Sequence, residues 1–200
     1  MSHHEHPSRR HVVLSGALAT GFGLAGGWLD MAQGQTLSPT PECDHHAPTL
    51  RQTEGPFYKP RSPERTDLYV AGMRGHVIEI AGLVLTRSCR PLAGAVVDFW
   101  QADAEGNYDN DGFRLRGHQY TGEDGRYRLR TVVPGSYDGR TRHIHVKVQA
   151  PGSRLLTTQM YFPGEAKNRR DPLFRRTLLI RTAKAAGGLT GQFDFVLDVG

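Results

Sequence analysis

Two hundred residues, of which 38% are hydrophobic and which include 24 glycines and 12 prolines, suffice for one turn-rich β domain and argue against a helical protein. The formal charge of +5 is carried by residues 35–200, because Arg9 and Arg10 are balanced within 1–34 by Glu5 and Asp30. That balance suits anions such as aromatic carboxylates, with ordinary solubility as the alternative reading, and no block of Lys and Arg is interleaved with aromatics, which argues against nucleic acid as a partner.

In chain order, Arg9-Arg10 precede an apolar, Gly- and Ala-rich stretch that runs to Leu29, and polar residues rather than a basic cluster follow it. The pattern predicts a twin-arginine-type signal peptide over 1–34, cut near Ala32, and therefore an exported protein, periplasmic or extracellular. An N-terminal anchor helix is the alternative reading, and no stable membrane insertion is expected otherwise. Residues 35–53, with Pro39, Pro41 and Pro48, read as a linker or an arm lying over the domain. The domain itself is expected over 54–200.

Alternation of apolar residues predicts strands over 76–86 and 95–101, separated by a turn at Arg87–Pro91. A long loop is expected from Ala102 to the turn at Gly122-Glu123-Asp124-Gly125, which leads into a strand over 126–133 closed by Pro134-Gly135. Strands over 143–150 and 155–162 form a hairpin around Pro151-Gly152. Residues 165–177 allow a short helical turn broken by Pro172, and final strands are expected over 178–182 and 192–199. Some seven short strands with little helix indicate an all-β sandwich with long loops. The two cysteines, Cys43 and Cys89, read in an oxidising compartment as one disulfide, with two unpaired thiols as the alternative.

The chemistry concentrates in Tyr108, Tyr137 and the pair His143-Ile144-His145. Alternate residues of a strand share a face, so the two imidazoles can address one point. Imidazoles alone would suit zinc, copper or iron. Two phenolates are hard, anionic donors that match a hard, highly charged ion, and ferric iron is the natural choice. Such an ion must hold each tyrosine ionised far below its usual pKa of about 10.

Several segments, in order, resemble the intradiol ring-cleaving dioxygenases. They are Thr53-Glu54-Gly55-Pro56-Phe57-Tyr58, Pro91-Leu92-Ala93-Gly94-Ala95, Asp98-Phe99-Trp100-Gln101-Ala102-Asp103 and Gly106-Asn107-Tyr108, then Pro134-Gly135-Ser136-Tyr137, Gly139-Arg140-Thr141, His143-Ile144-His145 and Thr158-Gln159-Met160-Tyr161-Phe162. The resemblance implies a prealbumin-like sandwich of the compact, protocatechuate-dioxygenase type and a non-haem Fe(III) cofactor. It implies that Tyr108, Tyr137, His143 and His145 hold the metal, Tyr137 and His143 axially, with water or hydroxide as a further ligand. The activity implied is insertion of both atoms of O₂ into a catechol-type diol, with cleavage between the hydroxylated carbons to a muconate-type diacid.

By the same resemblance, Tyr137 serves as ligand and base, Arg140 stabilises negative charge on the substrate ring, and Gln159 neighbours the face that reacts with oxygen. Tyr58 is placed at the pocket mouth, with core packing as its alternative. Trp100 is expected to pack near the metal. Arg126, Arg140 and Lys59 are the cations open to a substrate carboxylate. The partners implied are a small aromatic diol and O₂, and relatives' assemblies admit a homo-oligomer. A binding module built on the same Gly/Pro turns is the chief rival; it would need neither Tyr108 nor His-x-His.

Overall fold

The computed structural model describes residues 47–199. Nine strands form among them: β1 (Val77–Thr86), β2 (Val96–Trp100), β3 (Arg116–Tyr120), β4 (Arg126–Val132), β5 (His143–Gln149), β6 (Leu156–Tyr161), β7 (Arg181–Ala185), β8 (Gly188–Gln192) and β9 (Phe195–Leu197). One sheet has the order β4-β1-β8-β7, with β9 also pairing β1, and the other has the order β3-β2-β5-β6. The core between them takes Ile78, Ile80 and Leu129 from the first sheet and Val97, Phe99, Ile144, Val146 and Met160 from the second. Tyr127 anchors one end by donating its buried hydroxyl to the carbonyl of Phe193 at 2.7 Å.

The second sheet positions the functional residues. Strand β5 is buried at six successive positions, so both of its faces are covered. Ile144, Val146 and Val148 face the core, and the alternating residues His143, His145 and Lys147 therefore face outward. Cross-strand register extends this outer face into rows. Arg116, Trp100, His145 and Gln159 lie side by side across β3, β2, β5 and β6, and His143 lies beside Tyr161. All six are at most 1% exposed, so loops roof a face that in a simple sandwich would meet water.

The sequence-derived elements hold for β1, β2, β4, β5 and β6. Strand β3 lies inside the segment read as loop. Its core-facing positions are Gly117 and Gln119 rather than apolar residues, so no alternation marks it. The expected strand over 178–182 is corrected: Arg176–Leu178 is a 3₁₀ turn and β7 begins at Arg181. Another 3₁₀ turn covers Ala166–Arg169, so Pro172 separates two turns rather than breaking one helix. The expected strand over 192–199 is the three-residue β9.

Residues 47–53 lie along the sandwich. The Thr49 amide donates to Val196 O and the Gln52 amide to Thr157 O, each at 2.8 Å. Cys89 is disulfide-bonded, while Cys43, the expected signal peptide over 1–34 and the rest of the expected arm up to residue 46 lie outside the described residues.

Candidate metal centre

The phenols reach the outer face of the second sheet on two loops locked together by glycine. A Cβ on Gly135 would stand 2.4 Å from the Gly106 nitrogen, and one on Gly106 would stand 2.7 Å from Ser136 O. Only bare backbone allows the Tyr108 and Tyr137 loops this approach. Both amides, Gly106 and Gly135, donate to Asp103 O, at 3.1 and 2.7 Å. Beyond Tyr108, the Asp109 carboxylate accepts from the amides of Asp111, Gly112 and Arg114, which turns the chain back towards β3. Tyr137 sits in a tight turn in which the Arg140 amide donates to Tyr137 O at 2.6 Å.

Four donor atoms converge as a result. Tyr108 Oη and Tyr137 Oη are 3.3 Å apart, Tyr137 Oη and His143 Nε2 are 3.2 Å apart, and His143 Nε2 and His145 Nε2 are 3.1 Å apart. Neighbouring donors on one ion, with bonds of about 2 Å at right angles, stand about 3 Å apart. The His143 ring meets Thr141 O through Nδ1 at 2.6 Å. That contact places a proton on Nδ1 and turns the Nε2 lone pair to the centre. His145 Nδ1 is buried without a partner among the described residues, a polar atom left in excess of what protein packing explains.

Trp100 stacks on His145 with centroids 4.9 Å apart and planes 10° apart, which fixes that ring. Among the described residues no three His, Cys, Asp or Glu side chains group to hold a metal, so any site here depends on phenol oxygens. The donor set fits a hard, trivalent ion.

Burial sets the protonation of these groups. It pushes the Tyr108 phenol far above its ordinary range, with Tyr137 adding to the effect and Arg140 and Arg116 opposing it. It also raises Tyr137, against its hydrogen bond to Tyr108 and the charge of Arg140. His143 is pushed down to about 4 by burial and by Arg140, and His145 is lowered by burial, by His143 and by Arg140. Both imidazoles are thus neutral ligands at neutral pH. The phenols need a cation to ionise, and the two requirements point to one occupant.

Arg140 is held beside the centre. Its Nε donates to Asp171 Oδ2 at 2.9 Å, and its Nη2 donates to Gln159 Oε1 at 2.6 Å and to Tyr161 Oη at 3.3 Å. Gln159 Oε1 also accepts from Tyr161 Oη at 2.8 Å, while its Nε2 donates to Thr53 O at 3.0 Å. Gln159 therefore ties Arg140 to the 47–53 arm.

Tyr58 lies one row away, donating its hydroxyl to Asp98 at 3.2 Å and tilting against Trp100. Burial and the charge of Asp98 push its phenol up to about 12. Lys59 donates to the carbonyls of Asn110, Asp111 and Gly112, and Arg126 pairs with Asp124 at 3.0 Å on the surface.

Four contributors escaped the sequence reading. Phe57 stacks on Tyr108 with centroids 4.4 Å apart. Arg116 donates to Phe57 O at 2.6 Å and to Asp109 O at 2.9 Å, clamping the Tyr108 loop. Asp171 accepts from Arg140 and from the Thr141 amide. Gly55 has φ +70° and lies so close that a Cβ would touch His145 Cε1 at 3.3 Å. An extra signal existed only for Phe57 and Gly55, which lie within the Thr53–Tyr58 segment.

A β-sandwich that presents two phenols and two imidazoles at one point of a roofed outer face has the makings of a non-haem metal site. The family model described as "Dioxygenase" matches residues 53–199. The chain belongs to that family, the intradiol ring-cleavage dioxygenases.

Among relatives, 6-chlorohydroxyquinol 1,2-dioxygenase of Cupriavidus pinatubonensis is 35% identical over 64% of this chain and 55% of its own. The protocatechuate 3,4-dioxygenase beta chain of Burkholderia cepacia is 35% identical over 62% of this chain and 65% of its own. The chain spans about half the length of most curated relatives it matches. Among structures, the dioxygenase domain of a dioxygenase carbohydrate-binding protein fusion from Streptomyces sp. SirexAA-E is 55% identical. That match has TM-score 0.75 and covers 77% of this chain and 100% of that one. 3-Chlorocatechol 1,2-dioxygenase from Rhodococcus opacus 1CP is 26% identical, with TM-score 0.70, covering 76% and 73%.

Proposed function

We propose that the protein is a ferric-iron intradiol dioxygenase that inserts both atoms of O₂ into a catechol-type aromatic diol and opens its ring between the hydroxylated carbons. The observation that carries this reading is the approach of Tyr108, Tyr137, His143 and His145 to within 3.1–3.3 Å of one another in sequence. Iron bound there supplies a Lewis acid that draws a diol in as its dianion and makes that dianion reactive towards O₂.

The chain supplies the rest. Tyr137 carries the phenol oxygen nearest His143 on a short turn, and it accepts a diol proton. Arg140, oriented by Asp171 and Gln159, places fixed positive charge where the ring becomes negative. Phe57 and Trp100 wall the centre with aromatic faces, and the buried row from Arg116 to Gln159 keeps water out from below.

Export through the twin-arginine route is part of the same proposal. It is supported by Arg9-Arg10 ahead of the apolar stretch and by the disulfide at Cys89, which suits an oxidising compartment. Among the described residues no helix is long and apolar enough to cross a membrane.

The iron-loaded protein is expected to be red-brown from phenolate-to-iron charge transfer and to change colour when catechol is added without oxygen. With oxygen it should then form a muconate-type product, followed by its ultraviolet absorption. A colourless iron-loaded protein, or catechol consumption without ring opening, would refute the reading.

A further inference from the structure

A groove of about 860 Å³ is lined by Phe174, whose ring packs on Tyr161, the neighbour of His143. Its apolar part includes the half-buried Phe174 and Leu179, and its rim carries the exposed Lys167, Arg169, Arg170 and Arg176. None of these four cationic side chains has an ion-pair or hydrogen-bond partner among the described residues. The acids here are already committed: Glu165, which itself lines the groove, pairs with Arg142 at 3.4 Å, and Asp171 pairs with Arg140 at 2.9 Å. Four like charges around an apolar floor repel one another and are stabilised by an anion whose body is apolar. Guanidinium groups bind carboxylates as planar forks, and an exposed phenyl ring accepts an aryl ring against it.

We propose that this groove is a binding site for an anionic aromatic molecule, an aryl carboxylate whose ring lies on Phe174 and Leu179 while rim arginines hold its carboxylate. The site stands independently of the ring-cleavage reading. It is nevertheless joined to the centre. The Phe174 ring meets Tyr161 edge-on at 5.3 Å, and Tyr161 lies 5.9 Å from His143. The rim turn also carries Asn168, which accepts from Thr141 Oγ1 at 2.7 Å, two residues before His143. The groove thus gathers aromatic anions one ring away from the metal centre.

The test is equilibrium dialysis of the full-length, iron-loaded protein against 2-naphthoate, without oxygen and with excess catechol to occupy the centre. The neutral 2-naphthalenemethanol and the non-aromatic cyclohexanecarboxylate serve as comparators. Naphthoate should bind at least fivefold more tightly than either. Its affinity should fall at least fivefold in the R170Q/R176Q double variant, which alters exposed side chains only, and stay unchanged in R154Q, an exposed arginine outside the groove. Raising salt from about 20 to about 300 mM should weaken naphthoate binding and leave the alcohol unaffected. Equal binding of the alcohol, equal binding by R170Q/R176Q, or no binding of naphthoate would overturn the proposal. Because the readout is binding, these results separate from a failure of ring cleavage, which would show as absent turnover with groove binding intact.

Discussion

Tyr108 and Tyr137 are buried phenols whose ionisation burial opposes, so each could act as the proposed ligand only while a cation compensates it. Replacing Tyr108 by Phe keeps the ring that stacks on Phe57 and removes the oxygen alone. The expected outcome is a fold of wild-type stability, iron affinity at least about tenfold lower, and weakened charge-transfer absorption, measured by metal titration and visible spectroscopy. His143 gives a pH prediction. Its folded pKa, pushed down to about 4, lies below the ordinary 6.5, so the unfolded chain binds more protons between these values. Stability of the metal-free protein is therefore fully present above pH 6.5 and falls as pH drops towards 4, which thermal melts across that range will show.

At the scale of elements, the Asp171 turn and the paired glycine loops set what the donors can do. Asp171 holds Arg140 and the Thr141 amide without touching a donor, which makes it a positioning residue. Asp171→Asn should lower kcat by about tenfold to a hundredfold while iron content and colour remain, and Asp171→Glu should recover part of the loss. Gly135→Ala drives a Cβ into the Gly106 backbone, so both tyrosine loops must move and iron binding should fail in metal titration even where the sandwich still melts cooperatively.

The legibility of the sequence follows the same division. Strand β5 advertised itself through the alternation from His143 to Val148, and its two histidines came with it. The phenols were legible through their order and the motifs around them. Asp171 and Arg116 were not, because a single charged residue in a turn carries no periodic signal and acquires its role only when loops 31 and 59 residues away fold over it. Strand β3 was hidden for a related reason: its pairing with β2 and the backbone of Pro63 supplies what apolar alternation does not.

For the whole molecule, the roofed outer face is the decisive departure from an ordinary antiparallel sandwich. Loops from four places cover it, and the proposed metal, which would join two of them to β5, should add to global stability. At metal concentrations about a hundredfold above Kd, iron contributes about 2.7 kcal/mol, which for a domain of this size is about 5–10 °C in Tm lost on chelation and regained on adding iron. The proposed export is tested at this scale as well: lysine substitution of both Arg9 and Arg10 should leave the protein in the cytoplasmic fraction, read by cell fractionation. A crystal structure of the iron-loaded protein with anomalous data at the iron edge would locate the metal outright. One strong peak should lie within bonding distance of Tyr108 Oη, Tyr137 Oη, His143 Nε2 and His145 Nε2. A peak bound to the histidines alone, or placed elsewhere on the sandwich, would refute the ferric-tyrosinate centre.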